Sequence, residues 1–501
     1  MTRRGRGIGL AVAVLALMTA EDAGAQGYRL RLDSRMQTAS FRGVSPDSIA
    51  ESETVTGEDG GLYTPDGFAV SCDPAGRCRY FRPGPVVDAA PFMQQADLSL
   101  WGFGIAGLSV RANARLVADL AESDAWPGTE PTVQLLEGYA EYARRAFTAR
   151  AGRQVLTSRL GFTGFDGGRL VARAVSLGLE GEIYGGWGLA RATALPVTSA
   201  ALNPLDEYRP AERTIVVGAA AGATTSRGSV RLDYQREVDP RSDYFVSERV
   251  AFSLEARPRE GWSVAGGAEY DLAAGFWGSA DLQLRYARPL FDVTAAARHY
   301  RPHFDLWTIW GAFSPVPYNA LSGTARVRPI PRLELRGRGE VYGFEAAEAT
   351  TPLFDAEEDG WRASGGATVT LGRGVSADLD IHGEFGPGAA SRGIEGGLRY
   401  AADERMALAV RGARLERPLE FRFNEAKVNM LALDGEWRAT ERFRVAAGVS
   451  RFWEDRERPD AGAFDWAQTR VFVRLTALVG RDAGTQPLPP GRRRPRLESS
   501  R

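Results

Sequence analysis

The feature that most restricts the fold of this chain is a two-residue alternation of oily and ionic side chains. It recurs in segments of about ten residues along most of the sequence. In Val375–Phe385, Val375, Ala377, Leu379, Ile381 and Phe385 alternate with Ser376, Asp378, Asp380, His382 and Glu384. Arg332–Tyr342, Tyr28–Met36, Phe245–Ala256 and Trp277–Ala287 repeat the pattern. Successive side chains of a strand point to opposite faces, so each segment has one apolar and one charged face. A soluble sandwich shows the same period. Here, however, the polar faces carry dense charge of both signs, as a wet lumen tolerates, and the apolar faces are rich in Ala and Gly.

The connections sharpen this reading. Short links near Ile105-Ala106, Arg144-Arg145, Arg288-Pro289 and Ile330-Pro331 are interspersed with longer ones such as Phe41–Met93, Ala121–Glu130, Gly185–Glu212 and Arg301–Pro317. Short turns on one rim and long loops on the other are the layout of an outer-membrane barrel. The expected fold is therefore all-β, a closed antiparallel transmembrane β-barrel of about 22 strands, within a range of roughly 16 to 24. Closure is required because backbone groups at membrane depth must be paired internally.

The amino terminus fits export. Arg3, Arg4 and Arg6 precede an apolar run from Ile8 to Met18, followed by Ala23-Gly24-Ala25. A basic start, a short oily core and a small-residue box describe a secretory signal peptide over residues 1–25. Residues 26–480 are expected to form the barrel, with residues 42–93 as a long extracellular loop carrying a disulfide hairpin, within which Phe68–Phe81 can form a small hairpin over the mouth. The Pro- and Arg-rich stretch 481–501 is expected to be a disordered tail. Cys72 and Cys78 flank Asp-Pro-Ala-Gly-Arg. In an oxidising compartment that spacing predicts a disulfide across a tight turn; a metal or redox pair is the alternative, without a nearby His or further Cys to complete a zinc site. The formal net charge of -1 gives no reason to expect nucleic acid.

One stretch resembles a known family. Gly152-Arg153-Gln154, followed by Gly164-Phe165-Asp166-Gly167-Gly168-Arg169-Leu170, is similar to a motif of the alginate-export family of outer-membrane barrels and related porins. The resemblance covers about 20 residues and implies a monomeric channel with a charged lumen, which in that family is arginine-rich and passes a polyanionic sugar. The expected partners are outer-membrane lipid, small polar solutes and the barrel-assembly machinery; no cofactor or metal is expected.

The residues expected to line the lumen and set selectivity are Arg111, Arg115, Arg150, Arg153, Arg159, Asp166, Arg169, Arg231, Arg285, Arg336 and Arg338. Guanidinium groups on a pore wall favour anions and sugar hydroxyls. Acidic residues share these faces, among them Glu141, Glu182, Asp233, Asp281, Glu334, Asp378 and Asp380, so a cross-strand charge ladder that merely stabilises the wall is the plainer reading. Thr157–Gly167 is expected to fold inward as a constriction loop, with Arg159 facing Asp166. The aromatic stretch Phe304–Tyr318 is read as a rim anchor, or else as a sugar slide.

Catalysis is not expected. The sequence lacks G-x-S-x-G, H-E-x-x-H and P-loop motifs. His382, with Asp380 and Glu384 on its own strand face, is where the pattern allows a hydrolase site. An active transporter with an N-terminal plug is also disfavoured, because strand-like alternation begins at Tyr28. The favoured function is passive diffusion of polar, anionic or saccharide solutes; the alternative is a plugged structural or adhesive barrel.

Overall fold

A computed structural model describes residues 27–57, 60–121, 133–189, 214–238, 240, 245–273, 275–301, 318–345, 359–386, 389–420, 424–456 and 466–481. The expected signal peptide, the C-terminal tail beyond 481 and the stretch Phe304–Pro317 lie outside these residues. The described residues form an antiparallel sheet of 22 strands that closes on itself, with the strand Gly27–Gln37 paired to Trp466–Arg481 on one side and to Pro91–Trp101 on the other, and two small sheets besides. Among them no helix is long and apolar enough to cross a membrane; the crossing elements are strands.

The alternation in sequence is the inside–outside alternation of the wall. Leu282 on the strand Phe276–Ala287, Ile381 on Val375–Gly386 and Leu431 on Asn424–Thr440 are all exposed and point outward, while Asp281, Asp380 and Asp434 point inward. Aromatics border the outward band. Near the short-turn rim Trp262 packs on Tyr286 at 4.7 Å and Tyr142 on Phe147 at 5.7 Å between ring centroids, with Arg288 and Arg144 lying over the two tyrosines. An apolar band between aromatic girdles is the exterior of a membrane barrel. The short-turn rim, which also holds both strand termini Gly27 and Arg481, is the periplasmic one by the same rule.

Two expected loops are strands. The segment expected as a long loop over 42–93 is mostly a hairpin, Ala39–Ala50 paired with Arg77–Ala89, which continues the barrel hairpin beyond the extracellular rim. Its extended backbone is satisfied by its own ladder, which is why no loose loop is needed there. The short strand Ser71–Cys72 adds to its edge and sets Cys72 opposite Cys78, which form a disulfide. The turn between them is written in Asp73-Pro74-Ala75-Gly76: Asp73 Oδ1 accepts from the backbone N–H groups of Ala75 and Arg77, each at 3.0 Å, and Gly76 adopts φ +75°, which glycine does without steric cost.

The second is Thr157–Gly167. Phe147–Ser158 and Gly161–Ala174 are continuous strands joined by Arg159-Leu160 alone. What the sequence marks as a constriction loop is the tip of a regular hairpin, and that hairpin leaves the wall.

Candidate functional site

The hairpin departs at a crease of glycines. The strand Phe147–Ser158 pairs with Val133–Ala143 only as far as Arg153 and Gly138, and its remaining residues pair with Gly161–Ala174 alone. At the point of departure Gly152, Gly167 and Gly186 lie side by side on three strands. Gly152 sits at φ +127°, and a Cβ on Gly167 would lie 2.1 Å from Gly185 O and 2.6 Å from Gly186 Cα. Only residues without side chains allow backbones this close. Arg153 covers the edge left open, donating from Nη1 to Leu135 O at 3.0 Å.

Beyond the crease the hairpin cuts across one sector of the lumen. Its tip bonds to strands four to six places away around the barrel. Leu160 O accepts from Arg249 Nη1 at 3.0 Å, and Arg159 Nη2 donates to Gly267 O at 2.7 Å and is ion-paired with Asp281. Thr163 Oγ1 donates to Gln235 Oε1 at 2.8 Å, and Tyr184 OH also donates to Gln235 Oε1, at 3.2 Å. Leu156 and Phe165 pack on Tyr184 and Val216 of the inner wall. Burying each such side chain is worth about 1.5–3 kcal/mol, so the hairpin is held by apolar contact as well as by its polar tip. Buried charge collects beneath it: Glu182, Asp233 and Arg249 are nearly inaccessible, and each is paired.

The expectation that this segment projects inward agrees with the geometry, but its detail does not. Arg159 does not face Asp166. Side chains directly opposite each other on adjacent strands meet across a hairpin, so Asp166 is taken by its cross-strand neighbour Arg153, Nε–Oδ1 2.7 Å and Nη2–Oδ2 3.0 Å, on the hairpin face opposite Phe165. Arg159, at the tip, reaches the far wall instead.

The other named arginines fall into two groups. On the wall beside and beneath the hairpin, Arg111 pairs with Asp97 at 2.9 Å, Arg115 donates to Gln134, Arg150 pairs with Glu141, Arg169 with Glu182 at 2.8 Å, and Arg231 with Glu182 at 3.0 Å and Asp233 at 2.8 Å. On the uncovered wall, Arg285 pairs with Asp292, Arg336 with Asp380, and Arg338 with Glu340 at 2.9 Å. Apart from Arg115, all of these are paired with opposite charges.

The uncovered wall holds residues that the alternation did not single out. Glu340 is met by Arg298 at 2.6 Å, Arg338 at 2.9 Å and Arg362 at 3.4 Å. Arg298 and Arg362 lie over the rings of Tyr318 and Tyr342, 5.0 and 4.8 Å from the centroids. These residues sit on four neighbouring strands, so their convergence is set by register. The side chain of Glu340 is 1% exposed, whereas Arg298 and Arg338 are 41% and 49% exposed. The same order holds for Arg285 over Asp292, Arg328 over Glu334 and Arg411 over Asp434. It is reversed for Asp281 at the hairpin tip, for Glu180 against Arg173, and near the periplasmic rim for Glu260 and Glu436. The cause is side-chain length: an arginine reaches past its carboxylate partner into the water.

The His382 cluster does not assemble a nucleophilic relay. Asp380 is held by Arg336, Glu384 accepts from Tyr342 OH at 3.0 Å, and the imidazole lies against Gly393 of the next strand, on the side away from Ser364. A concavity of about 1060 Å³ lies among Leu282, Leu321, Val341, Trp361 and Phe385. These are outward residues, so this groove opens to lipid and not to the lumen.

A closed 22-stranded barrel with an apolar exterior between aromatic girdles and a charged interior is a transmembrane barrel of the bacterial outer membrane. No protein-family model and no curated relative matches the sequence. Among solved structures the chain is similar in fold to the copper transporter OprC, at 12% identity over 90% of this chain and 80% of that one, with a TM-score of 0.47. It is also similar to OccAB2 of Acinetobacter baumannii, at 8% identity over 92% and 100% with a TM-score of 0.37, and to an anion-selective porin from Comamonas acidovorans, at 9% identity over 91% and 100% with a TM-score of 0.29.

Proposed function

We propose that the chain is a passive outer-membrane channel for small polar solutes, with a preference for anions. The observation that carries this reading is the exposure order on the uncovered wall. Paired charges nearly cancel at a distance, but a solute in the lumen meets the nearer charge first, and there the arginines stand in front. Coulomb energy between unit charges falls as 1/r, so a guanidinium a few ångströms closer than its carboxylate partner leaves a net attraction for anions. Low-dielectric walls reinforce such a field. Twenty-two strands spaced about 4.8 Å apart and tilted about 40° enclose a ring about 40 Å across between backbones. The inward hairpin occupies one sector of it and leaves the arginine-rich sector open among the described residues.

Purified protein in a planar bilayer across a KCl gradient tests this. Stepwise current with a reversal potential toward chloride is expected. That preference should weaken as salt rises to 1 M, where the screening length falls to about 3 Å. A cation-selective pore, or silence from protein whose barrel is intact, would refute the proposal; silence would favour the plugged reading.

A further inference from the structure

At its upper edge the outward face turns cationic over a run of four strands. On four consecutive strands the outward positions run apolar from the periplasmic rim: Tyr400, Leu398 and Ile394; Met406, Leu408 and Val410; Trp437, Leu433 and Leu431; Phe443, Val445 and Val449. Above them the outward face turns polar: Arg392, Arg414 (beyond Gly412), Asn429 and Arg451. One pleat further on the last three strands stand Glu416, Lys427 and Trp453, with Asp455 beyond. The step comes about eight residues above the lower rim, a rise of about 20 Å on a tilted strand. That is close to the height of the apolar band of such barrels, so the polar row lies at the headgroups of the outer leaflet.

Pairing makes the row contiguous. Arg392 is opposite Glu416, Arg414 opposite Asn429, Glu416 opposite Lys427, and Asn429 opposite Trp453. Glu416 is bound by both Arg392 Nε, at 2.6 Å, and Arg414 Nη2, at 2.8 Å. Arg392 is 78% exposed on its side chain even so. Arg451 donates from Nη1 to Thr469 Oγ1 at 2.8 Å. The row holds four cations, Arg392, Arg414, Lys427 and Arg451, against two carboxylates, Glu416 and Asp455, so it is net positive. Lys427 is also the one lysine of the sequence. Glu416 holds the two guanidinium groups side by side, and both arginine side chains stay largely exposed, 78% and 52%, at the level where lipid phosphates lie. Trp453 has the amphipathic ring that settles at this interface.

We infer that this row is a binding site for a phosphorylated glycolipid of the outer leaflet, with the arginines holding a phosphate monoester by charge-assisted, fork-shaped hydrogen bonds and the apolar positions below receiving acyl chains. Basic pockets at the membrane surface bind lipid headgroups by the same chemistry. The site is independent of whether the lumen conducts, since it needs only the membrane barrel.

The test is native mass spectrometry of the full barrel released from detergent with bisphosphorylated lipid A, or with the same lipid after removal of its phosphates. The unmodified protein should retain the phosphorylated form at least about tenfold better, the change expected from one charge-assisted contact. The double variant Arg392→Gln/Arg414→Gln should lose that preference, and so, in smaller measure, should Arg451→Gln on its own. Arg399→Gln, facing the lumen from the same strand as Arg392, should retain it. Heat-modifiable mobility on a gel shows in each case that the barrel is folded; if the double variant fails that check, each arginine is replaced singly. Equal retention of the two lipids, or undiminished preference in the folded arginine variants, would overturn the inference. Displacement of the lipid by millimolar inorganic phosphate alone would overturn the lipid assignment and leave a simple anion site.

Discussion

Replacing Gly167 by alanine should release the inward hairpin. A Cβ there would stand 2.1 Å from Gly185 O and 2.6 Å from Gly186 Cα, where ordinary contacts are 3.4 Å or more. Both neighbours are backbone, so the crease must open by more than an ångström instead of a side chain turning aside. Overpacking of this kind costs about 1–3 kcal/mol, against a docked state held by Leu156, Phe165 and the bonds of Arg159, Leu160 and Thr163. A loss of that size raises the undocked population about 5- to 150-fold. Leu160, at 3% exposure, reports it. Cys72 and Cys78 are joined to each other and there is no free cysteine among the described residues, so Leu160→Cys introduces a single reactive thiol. Its labelling by a bulky, water-soluble maleimide should be slow in the parent and faster by that factor with Gly167→Ala. Gly181→Ala is the control, since a Cβ there meets nothing within 4 Å. Equal, slow labelling in the Gly167→Ala and Gly181→Ala proteins would refute the crease as the origin of the inward fold.

Other outcomes follow from the same contacts. Glu340→Gln leaves Arg298, Arg338 and Arg362 without their shared carboxylate and should raise the chloride-to-potassium permeability ratio by roughly twofold, the opposite effects on the two ions of one charge about 8 Å away in water whose screening length at 0.15 M salt is also about 8 Å; bilayer reversal potentials measure it. Arg298→Gln together with Arg338→Gln should move the ratio the other way by roughly fourfold on the same estimate, and an unchanged ratio would remove the basis for anion preference. Cys72→Ser with Cys78→Ser opens a short loop worth about 2 kcal/mol at most, in a hairpin beyond the barrel. Protease nicking near residues 71–79 should accelerate while barrel melting stays the same; a lowered barrel melting temperature would show that the extension supports the wall.

The barrel was largely legible in the sequence because its signal is local. Val375–Phe385 reads as a strand from its own side chains, and the strand Val375–Gly386 is found there; Phe245–Ala256 agrees to the residue. The Cys72–Cys78 bridge was legible too, since Asp73-Pro74-Ala75-Gly76 carries its own turn. The misread segments are those where alternation fades. Thr157–Gly167 is rich in Gly and Thr and looked like a loop, although paired backbones there need no oily face to persist. Residues 42–93 looked like a loop because an extension in water has no lipid to demand a regular apolar side.

Alternation and turn chemistry within each segment therefore determined an all-β chain, its inner and outer faces and its disulfide turn, because such properties depend on neighbours one or two residues away. Tertiary structure alone decided that Gly152, Gly167 and Gly186 form one crease, that Arg159 reaches Asp281 across 122 residues of sequence, and that three arginines on separate strands converge on Glu340. Those meetings depend on register and on how many strands the ring contains, and no single segment encodes either.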